Sequence, residues 1–222
     1  MKKGSNLRAR TFKMEAVLFD MDGTLVHTEP EYVSKIVRET LLSFNAENPR
    51  DDDIRYFWFG ANREDFVQKV WGINPSAFFD EYMKLYAAEA KAFSRFYDDV
   101  AVTLEALKAR NVKIGIVTAG VPKITNHYLD RLKGYVSASV STSQEPEMKP
   151  KPHPEAVLKC LKLLHVNPGM AMFVGNGEED ILAGKRAGVT DVFIDRGEHN
   201  LLTVMPSHTI KTLPEVLKLA EH

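Results

Sequence analysis

The sequence predicts an α/β fold, in which a doubly wound parallel sheet carries a helical cap domain inserted after its first strand. From residue 109 onward, short β-rich runs alternate with helical stretches, which is typical of parallel strands joined by crossover helices. An earlier strand at residues 16–19 is separated from these runs by residues 29–96, whose pattern is almost wholly helical. We therefore expect residues 14–27 and 97–222 to form the α/β core, residues 28–96 the cap, and residues 1–13 a flexible tail.

The individual elements follow from short apolar runs and from signals at helix ends. Apolar runs closed by Gly or Thr predict strands, and Pro or Gly marks where several helices begin or end. In the core these signals predict strands at residues 16–19, 112–117, 135–140, 170–174 and 189–194, and helices at 154–164, 179–187 and 213–220. In the cap they predict helices at residues 31–42, 60–71 and 75–96, and we expect the aromatic run Tyr56–Phe59 to form the cap's own small core.

Composition and charge exclude several classes of function. The chain has 222 residues, and 29 basic against 30 acidic side chains give a formal net charge of −1. This balance offers no general attraction for nucleic acid or an anionic membrane, and no apolar run reaches the length of a membrane span. The single cysteine, Cys160, excludes an internal disulfide framework and fits a reducing compartment. We therefore expect a cytoplasmic monomer or small homo-oligomer that binds neither nucleic acid nor membrane.

Two aspartates directly follow the first strand, in the segment Asp20-Met21-Asp22-Gly23-Thr24. Carboxylates at the carboxyl edge of a parallel sheet lie where open α/β folds bind their ligands. A lone Asp-x-Asp is more often a polar turn with incidental aspartates. A calcium loop also begins in this way, but its further ligands and closing Glu are missing here. The segment therefore indicates a ligand-binding site only if polar groups also follow other strands.

Three later segments place such groups at strand ends. Thr118-Ala119-Gly120 offers a hydroxyl and backbone N–H groups at a helix start, which suit a phosphate, although Thr often only caps a helix there. Lys151 lies between two prolines that restrict the backbone and present its ammonium; the alternative is a solvated basic loop. The segment from Asn176 to Asp180 is an acidic loop after a buried strand, or alternatively an acidic first helical turn.

Together, and in this order, the four segments resemble the four motifs of haloacid-dehalogenase-like phosphohydrolases. The most specific stretch is Leu18-Phe19-Asp20-Met21-Asp22-Gly23-Thr24-Leu25-Val26, and Lys151-Pro152-His153-Pro154-Glu155 adds to it. The resemblance covers nearly the whole chain after residue 13, and the helical insert is similar to the subgroup that includes phosphoglycolate phosphatase and β-phosphoglucomutase. It implies a Rossmann-like core with a helical cap, and a Mg²⁺-dependent phosphatase of a small phosphorylated metabolite of the phosphoglycolate or sugar-phosphate type.

The resemblance also assigns roles to individual residues. Asp20 would be the nucleophile that forms an aspartyl-phosphate, and Asp22 would be the general acid and later the base that activates water. The phosphate would be bound by Thr118, Ala119 and Lys151. The metal would be bound by Asp20, the backbone carbonyl of Asp22, Asn176 and Asp180.

The chain departs from the family's pattern at Asn176, where the family usually has an Asp that binds the metal directly. An amide oxygen coordinates Mg²⁺ without bringing a charge, and Glu178 or Glu179 is a candidate to compensate. A weakly active or non-catalytic relative is therefore one alternative function. A second is a hexose-phosphate mutase of the β-phosphoglucomutase type, whose turnover would depend on a bisphosphate activator.

Three further positions concern the cap and its linkers. His27 stands where relatives often carry Asp, and we expect it to be a linker or surface residue. The segment Tyr97-Asp98-Asp99-Val100 stands where relatives tend to have a Pro-Gly pair leading out of the cap. Arg63, in the segment 60–65, resembles a residue of the cap loop in β-phosphoglucomutase-type proteins. It would either grip a second anionic group of the substrate or be an exposed arginine at a helix start.

Overall fold

Six parallel strands form the central sheet. The computed structural model describes residues 14–145 and 147–220, so the tail predicted for residues 1–13 lies outside the described residues. The strands of the described chain are β1 (Ala16–Phe19), β2 (Val26–Thr28), β3 (Ser94–Phe96), β4 (Lys113–Thr118), β5 (Ala138–Ser141), β6 (Ala171–Gly175), β7 (Thr190–Ile194) and β8 (His208–Ile210). The sheet has the order β5-β4-β1-β6-β7-β8, and β2 and β3 form a separate antiparallel pair. β1 lies inside the sheet between β4 and β6.

Helices surround this sheet and also fill the segment between β2 and β3. That segment, called the helical insert below, contains α1 (Pro30–Ser43), α2 (Asp51–Phe59), α3 (Arg63–Val70) and α4 (Pro75–Phe93). The remaining helices of the described chain are α5 (Val100–Ala109), α6 (Pro122–Leu132), α7 (Glu155–Leu164), α8 (Glu178–Ala187) and α9 (Val216–Leu219). In the described residues, every helix falls short of the length and apolarity that crossing a membrane requires.

The two faces of the sheet bury separate apolar clusters, which is the arrangement of a doubly wound fold. Successive side chains of a strand point to opposite faces. In β1, Val17 and Phe19 pack into the cluster that also includes the helical insert, whereas Ala16 and Leu18 pack into the cluster formed with α7. All four side chains are fully buried because helices cover both faces. The predicted α/β fold class is confirmed.

Three predicted element boundaries are wrong for identifiable reasons. The helix predicted over residues 75–96 ends at Phe93, because Ser94–Phe96 pairs with Val26–Thr28 instead of continuing the helix. The helix predicted over residues 60–71 begins at Arg63, after Asn62 in a left-handed conformation with φ of 59°. The strand predicted at residues 135–140 lies at Ala138–Ser141, because the N–H groups of Tyr135 and Val136 still bond to the Leu132 carbonyl in the turn that ends α6. The short strands β2, β3 and β8, and the separate helices α2 and α5, were not predicted.

Candidate active site

A cleft of about 620 Å³ lies between the carboxyl ends of the central strands and the helical insert. β1 ends at Phe19, so Asp20 and Asp22 follow it at the edge of the sheet. β6 ends at Gly175, which brings Asn176 and Asp180 to the same edge. These four residues and Lys151 line the cleft, so segments far apart in sequence converge there.

Lys151 connects two buried carboxylates of the cleft, those of Asp20 and Asp180. Its Nζ lies 2.6 Å from Oδ1 of Asp20 and 2.6 Å from Oδ1 of Asp180. Asp180 also accepts a hydrogen bond from the backbone N–H of Gly177 at 3.0 Å. Its side chain fills the space beside Gly175, where an added Cβ would lie only 2.3 Å away. The ammonium is therefore held between two carboxylates at the floor of the cleft, and is not a solvated loop charge.

Burial and charge act in opposite directions on these groups. Burial raises the pKa of the Asp20 carboxyl, the charge of Lys151 opposes that rise, and Asp180 and Asp22 add to it. Burial alone would lower the pKa of Lys151, but the charges of Asp180 and Asp20 outweigh it and raise that pKa. The ammonium form of Lys151 is thus the stable one, and it is the nearest positive charge to Asp20.

Asp22 faces the loop that follows β4. An added Cβ on Gly120 would lie 2.6 Å from Oδ2 of Asp22, so the absence of a side chain at Gly120 leaves room for this carboxylate. Burial raises the pKa of Asp22, although the charges of Lys151 and Arg63 partly oppose the rise. A carboxyl group with a raised pKa holds its proton more readily, which suits proton donation.

The segment after β4 is at the cleft, but Thr118 does not line it. Ala119 and Gly120 line the cleft, whereas the Thr118 side chain is buried and its hydroxyl accepts a hydrogen bond from the Gly120 N–H at 3.0 Å. Thr118 therefore stabilises the conformation of the loop and does not face the cleft. In this conformation the surface that a phosphate would meet consists of Ala119 and Gly120.

Asn176 contacts the turn that carries the two aspartates. Gly23 has φ of 76°, and an added Cβ there would lie 2.0 Å from Nδ2 of Asn176, so the amide occupies the space beside this glycine. The backbone carbonyl of Asn176 accepts a hydrogen bond from Nε2 of His199 at 2.7 Å. Of the two possible compensating residues, Glu178 bonds to Thr203 outside the cleft. Glu179 lines the cleft.

The donor set fits a hard cation such as Mg²⁺. The side-chain and backbone donors expected to bind it are all oxygens, and the Thr24 hydroxyl lies 3.4 Å from Oδ2 of Asp20 and 3.5 Å from Oδ1 of Asn176, so these two oxygens converge. Mg²⁺ typically takes one or two carboxylates and completes its shell with water and substrate phosphate. Within residues 14–145 and 147–220 no three His, Cys, Asp or Glu side chains are grouped as ligands. The Lys151 ammonium lies between Asp20 and Asp180.

Arg63 reaches the cleft from the first turn of α3. Its Nη2 lies 3.8 Å from Oε1 of Glu179, the second residue of α8. Both side chains are partly exposed, so the pair is a weak one. The pair nevertheless connects the helical insert to the sheet edge across the opening of the cleft, and Glu64 and Asp65 lie beside it.

The helical insert contributes an aromatic wall that the sequence analysis only partly anticipated. Phe57 is fully buried in the core of the insert, as expected, but Trp58 and Phe59 line the cleft. Tyr82 and Tyr86 of α4 also line it and were missed. The sequence did contain a signal for them, because Tyr82 and Tyr86 recur with Phe79 and Met83 at the spacing that places side chains on one helical face.

A loop after β7, also missed, connects the two linkers of the insert. Oε1 of Glu198 lies 3.0 Å from Nδ1 of His27 and accepts a hydrogen bond from the Tyr97 hydroxyl at 2.8 Å. His27 is thus a partly buried linker residue and not a surface residue. In the same loop, the His199 ring stacks on Phe59 of the insert at 4.6 Å between centroids.

Comparison with known proteins identifies relatives along nearly the whole chain. Phosphoglycolate phosphatase from Aquifex aeolicus is 29% identical over 215 residues, covering 94% of this chain and 98% of that protein. Pyrophosphatase PpaX from Bacillus anthracis is 26% identical over 212 residues, covering 93% and 96%. Among solved structures, a predicted phosphoglycolate phosphatase from Haemophilus somnus superposes with a TM-score of 0.74 at 23% identity, covering 95% of this chain and 99% of that one.

The match to a protein family agrees with the position of the site. Residues 17–194 match the family described as haloacid dehalogenase-like hydrolase. The matched range begins in β1, directly before Asp20, and extends through β7, so it includes the carboxylates, Lys151 and the helical insert. The chain belongs to the haloacid dehalogenase-like hydrolases.

Proposed function

We propose that this protein is a phosphoric monoester hydrolase that releases phosphate from a small phosphorylated metabolite through Asp20. The observation that carries the proposal is the Asp20 carboxylate at the floor of a cleft, bonded to Lys151 at 2.6 Å, with Asp22 beside it. The relatives named phosphoglycolate phosphatase and pyrophosphatase support the same reaction class.

The chemistry follows from the positions of the two aspartates. An oxygen of Asp20 attacks phosphorus, the bond between phosphorus and the ester oxygen breaks, and an aspartyl-phosphate forms. Asp22 gives its proton to the departing alkoxide. Asp22 then takes a proton from a water molecule, whose oxygen attacks the phosphorus of the aspartyl-phosphate. Phosphate leaves, and both carboxyl groups return to their starting states.

The cleft's other polar groups hold the substrate. We assign phosphate binding to Lys151 and to the loop of Thr118 and Ala119, where Thr118 sets the loop conformation and Ala119 faces the phosphate. Arg63 is the proposed substrate contact from the helical insert. Its guanidinium has five N–H donors, so it is able to bind a substrate oxygen while it remains beside Glu179.

Magnesium is the proposed cofactor of this reaction. Asp20, the Asp22 backbone carbonyl, Asn176 and Asp180 would hold the ion. When bound, Mg²⁺ supplies positive charge that offsets the repulsion between an anionic nucleophile and an anionic phosphate ester. Because Asn176 is an amide, this site has one negative charge fewer than it would have with an aspartate. A weakly active enzyme is therefore the alternative function.

We further propose that residues 28–96 act as the cap of an α/β core formed by residues 14–27 and 97–222, and that the protein works in the cytoplasm. The near-neutral charge and single cysteine support that location. As the cap would contact the part of the substrate that is not phosphate, it would set substrate choice.

The covalent step is tested by mass spectrometry. The protein is mixed with excess acetyl phosphate and Mg²⁺ and quenched in acid, and peptides are analysed. We expect one added phosphoryl group on the peptide that carries Asp20, and none in Asp20→Asn. A modified Asp22 with an unmodified Asp20, or hydrolysis by Asp20→Asn at the wild-type rate, would refute the proposal. Turnover that requires a sugar bisphosphate would indicate the mutase instead.

A further inference from the structure

The wall of the cleft opposite the catalytic carboxylates is apolar and aromatic. Phe79, Tyr82, Met83 and Tyr86 of α4 recur at the spacing that places side chains on one helical face, and all four line the cleft. Trp58, from the end of α2, lines it as well and lies 5.9 Å from the Tyr86 ring. A flat ring is the group that such a wall binds best, because it removes the most apolar surface from water.

One hydroxyl in this wall is unsatisfied. Tyr82 is buried, with 4% of its surface exposed, and its hydroxyl has no hydrogen-bond partner among the described residues. Its neighbours differ: the Tyr86 hydroxyl lies 3.3 Å from the Thr28 hydroxyl, and the Tyr32 hydroxyl donates to the backbone carbonyl of Tyr86 at 2.6 Å. A buried hydroxyl without a partner destabilises the protein, and a ligand that accepts its hydrogen bond removes that penalty.

Tyr82 lines the same cleft as Asp22, the residue that would protonate the leaving group. Burial is the main cause of the raised pKa of Tyr82, so its hydroxyl keeps its proton and is able to donate it to an acceptor. A leaving group that extends from Asp22 towards the insert therefore enters the part of the cleft that Tyr82 lines.

The charges around the cleft disfavour an anionic leaving group. Of its two cations, Lys151 is held between two carboxylates and Arg63 lies 3.8 Å from Glu179. Glu64 and Asp65 also line the cleft, and although Asp65 is paired with Lys69 at 2.6 Å, Glu64 adds a negative charge. A carboxylate on the leaving group would have to compete with Glu179 for Arg63, whereas a neutral group avoids that competition.

We propose that Tyr82 determines specificity by donating a hydrogen bond to a neutral, ring-bearing leaving group whose flat face packs on the aromatic wall. The substrate class is therefore a phosphate monoester of an uncharged cyclic alcohol, and not a compact carboxylated ester. This inference rests on the proposed function, because it describes the leaving group of that reaction. A cleft of about 620 Å³ has the size of those that enclose ring-bearing ligands.

The test compares two groups of esters in the full-length enzyme with Mg²⁺. The neutral cyclic group contains glucose 6-phosphate and ribose 5-phosphate, and the compact anionic group contains 2-phosphoglycolate and 3-phosphoglycerate. We expect the best cyclic ester to exceed the best anionic ester at least tenfold in kcat/KM. Tyr82→Phe should reduce that ratio about tenfold, mainly by raising KM for the cyclic ester, because only the hydrogen bond is lost.

A matched control separates specificity from structure. Tyr32→Phe removes a hydroxyl that bonds inside the insert and does not line the cleft, so it should leave the ratio at its wild-type value. A preference for the anionic esters, an unchanged ratio in Tyr82→Phe, or an equal change in both tyrosine variants would overturn this inference while leaving phosphatase activity established. If no ester is hydrolysed by the wild type, the proposed function fails and the inference with it.

Discussion

Arg196 binds Asp99 through two parallel hydrogen bonds, of 2.8 Å from Nη1 and 3.0 Å from Nη2. The same guanidinium donates to the backbone carbonyl of Thr24 at 2.8 Å and lies 3.8 Å from the centre of the Tyr97 ring. Thr24 precedes the helical insert, whereas Tyr97 and Asp99 follow it. One side chain therefore connects both linkers of the insert. Tyr97 and Asp99, in the segment that leads out of the insert, thus have a structural role.

Removing Arg196 should destabilise the protein. Among the described residues, Arg196→Ala leaves the Asp99 carboxylate with the Leu213 N–H as its remaining hydrogen-bond donor, so we expect a loss of about 2–4 kcal/mol in the free energy of unfolding. Urea denaturation measures it. Arg55→Ala, at an exposed arginine whose ion pair is long at 3.8 Å, is the control and should stay within about 0.5 kcal/mol. Similar losses in both variants would show that the Arg196 contacts contribute little.

Asp20→Asn should abolish turnover without unfolding the protein. An amide is a poor nucleophile, so we expect phosphate release to fall by about 10⁴-fold or more. Lys151 keeps its bond to Asp180 at 2.6 Å, so the ammonium is still paired in the variant. Phosphate release and circular dichroism are measured on the same sample. A folded variant with activity within tenfold of the wild type would contradict the covalent mechanism.

Lys151→Ala should destabilise the folded protein even without substrate. It leaves the buried carboxylates of Asp20 and Asp180 without the cation between them, and we expect a loss of about 3–5 kcal/mol in unfolding free energy, measured in the presence of a chelator. Lys149→Ala, at an exposed lysine on the same loop, should change stability by less than about 0.5 kcal/mol. Adding Asp180→Asn to Lys151→Ala should recover part of the loss, and a further loss would mean that charge repulsion is not its cause.

Asn176→Asp should strengthen magnesium binding. Affinity of hard cations at oxygen sites rises with ligand charge, so the variant should need less Mg²⁺ for half-maximal activity. Mg²⁺ should also raise the melting temperature of the variant at lower concentrations than for the wild type, which gives a readout independent of turnover. An unchanged or weaker response to Mg²⁺ would indicate that Glu179, which lines the cleft, already supplies the charge.

Arg63→Ala should raise KM for every ester rather than for anionic ones alone. The substitution leaves Glu179 uncompensated in the cleft, where its charge repels the phosphate of any substrate, and we expect a change of a few-fold to about tenfold. Steady-state kinetics on a neutral and a carboxylated ester measure it. Combining Arg63→Ala with Glu179→Gln should restore part of the affinity. A rise confined to the carboxylated ester would show instead that Arg63 grips a second anionic group.

The sequence predicted those parts of the fold that depend on local pattern. β1, β4, β6 and β7 are largely buried and each contains an apolar run, and each was placed to within about one residue of its observed bounds. β2, β3 and β8 have three residues each and carry no such run, so they were missed. The start of α2 did have a signal, three aspartates in its first turn, that was not used.

The two aspartates after β1 and Lys151 could be proposed as site residues from the sequence because parallel strands bring their carboxyl ends to one edge of the sheet, so each motif's place along the chain implies its place in space. Other contacts join segments that are not ends of parallel strands, and these contacts became known only from the tertiary structure. Arg196 reaches Asp99 across 97 positions and Glu198 reaches His27 across 171, whereas the Tyr82 hydroxyl of α4 has no partner within the described part of the chain. Residue types and local periodicity determine strands, helices and the family's motifs. Packing across the whole chain determines which side chains of the insert contact the loop after β7. It also determines which buried polar group lacks a hydrogen-bond partner.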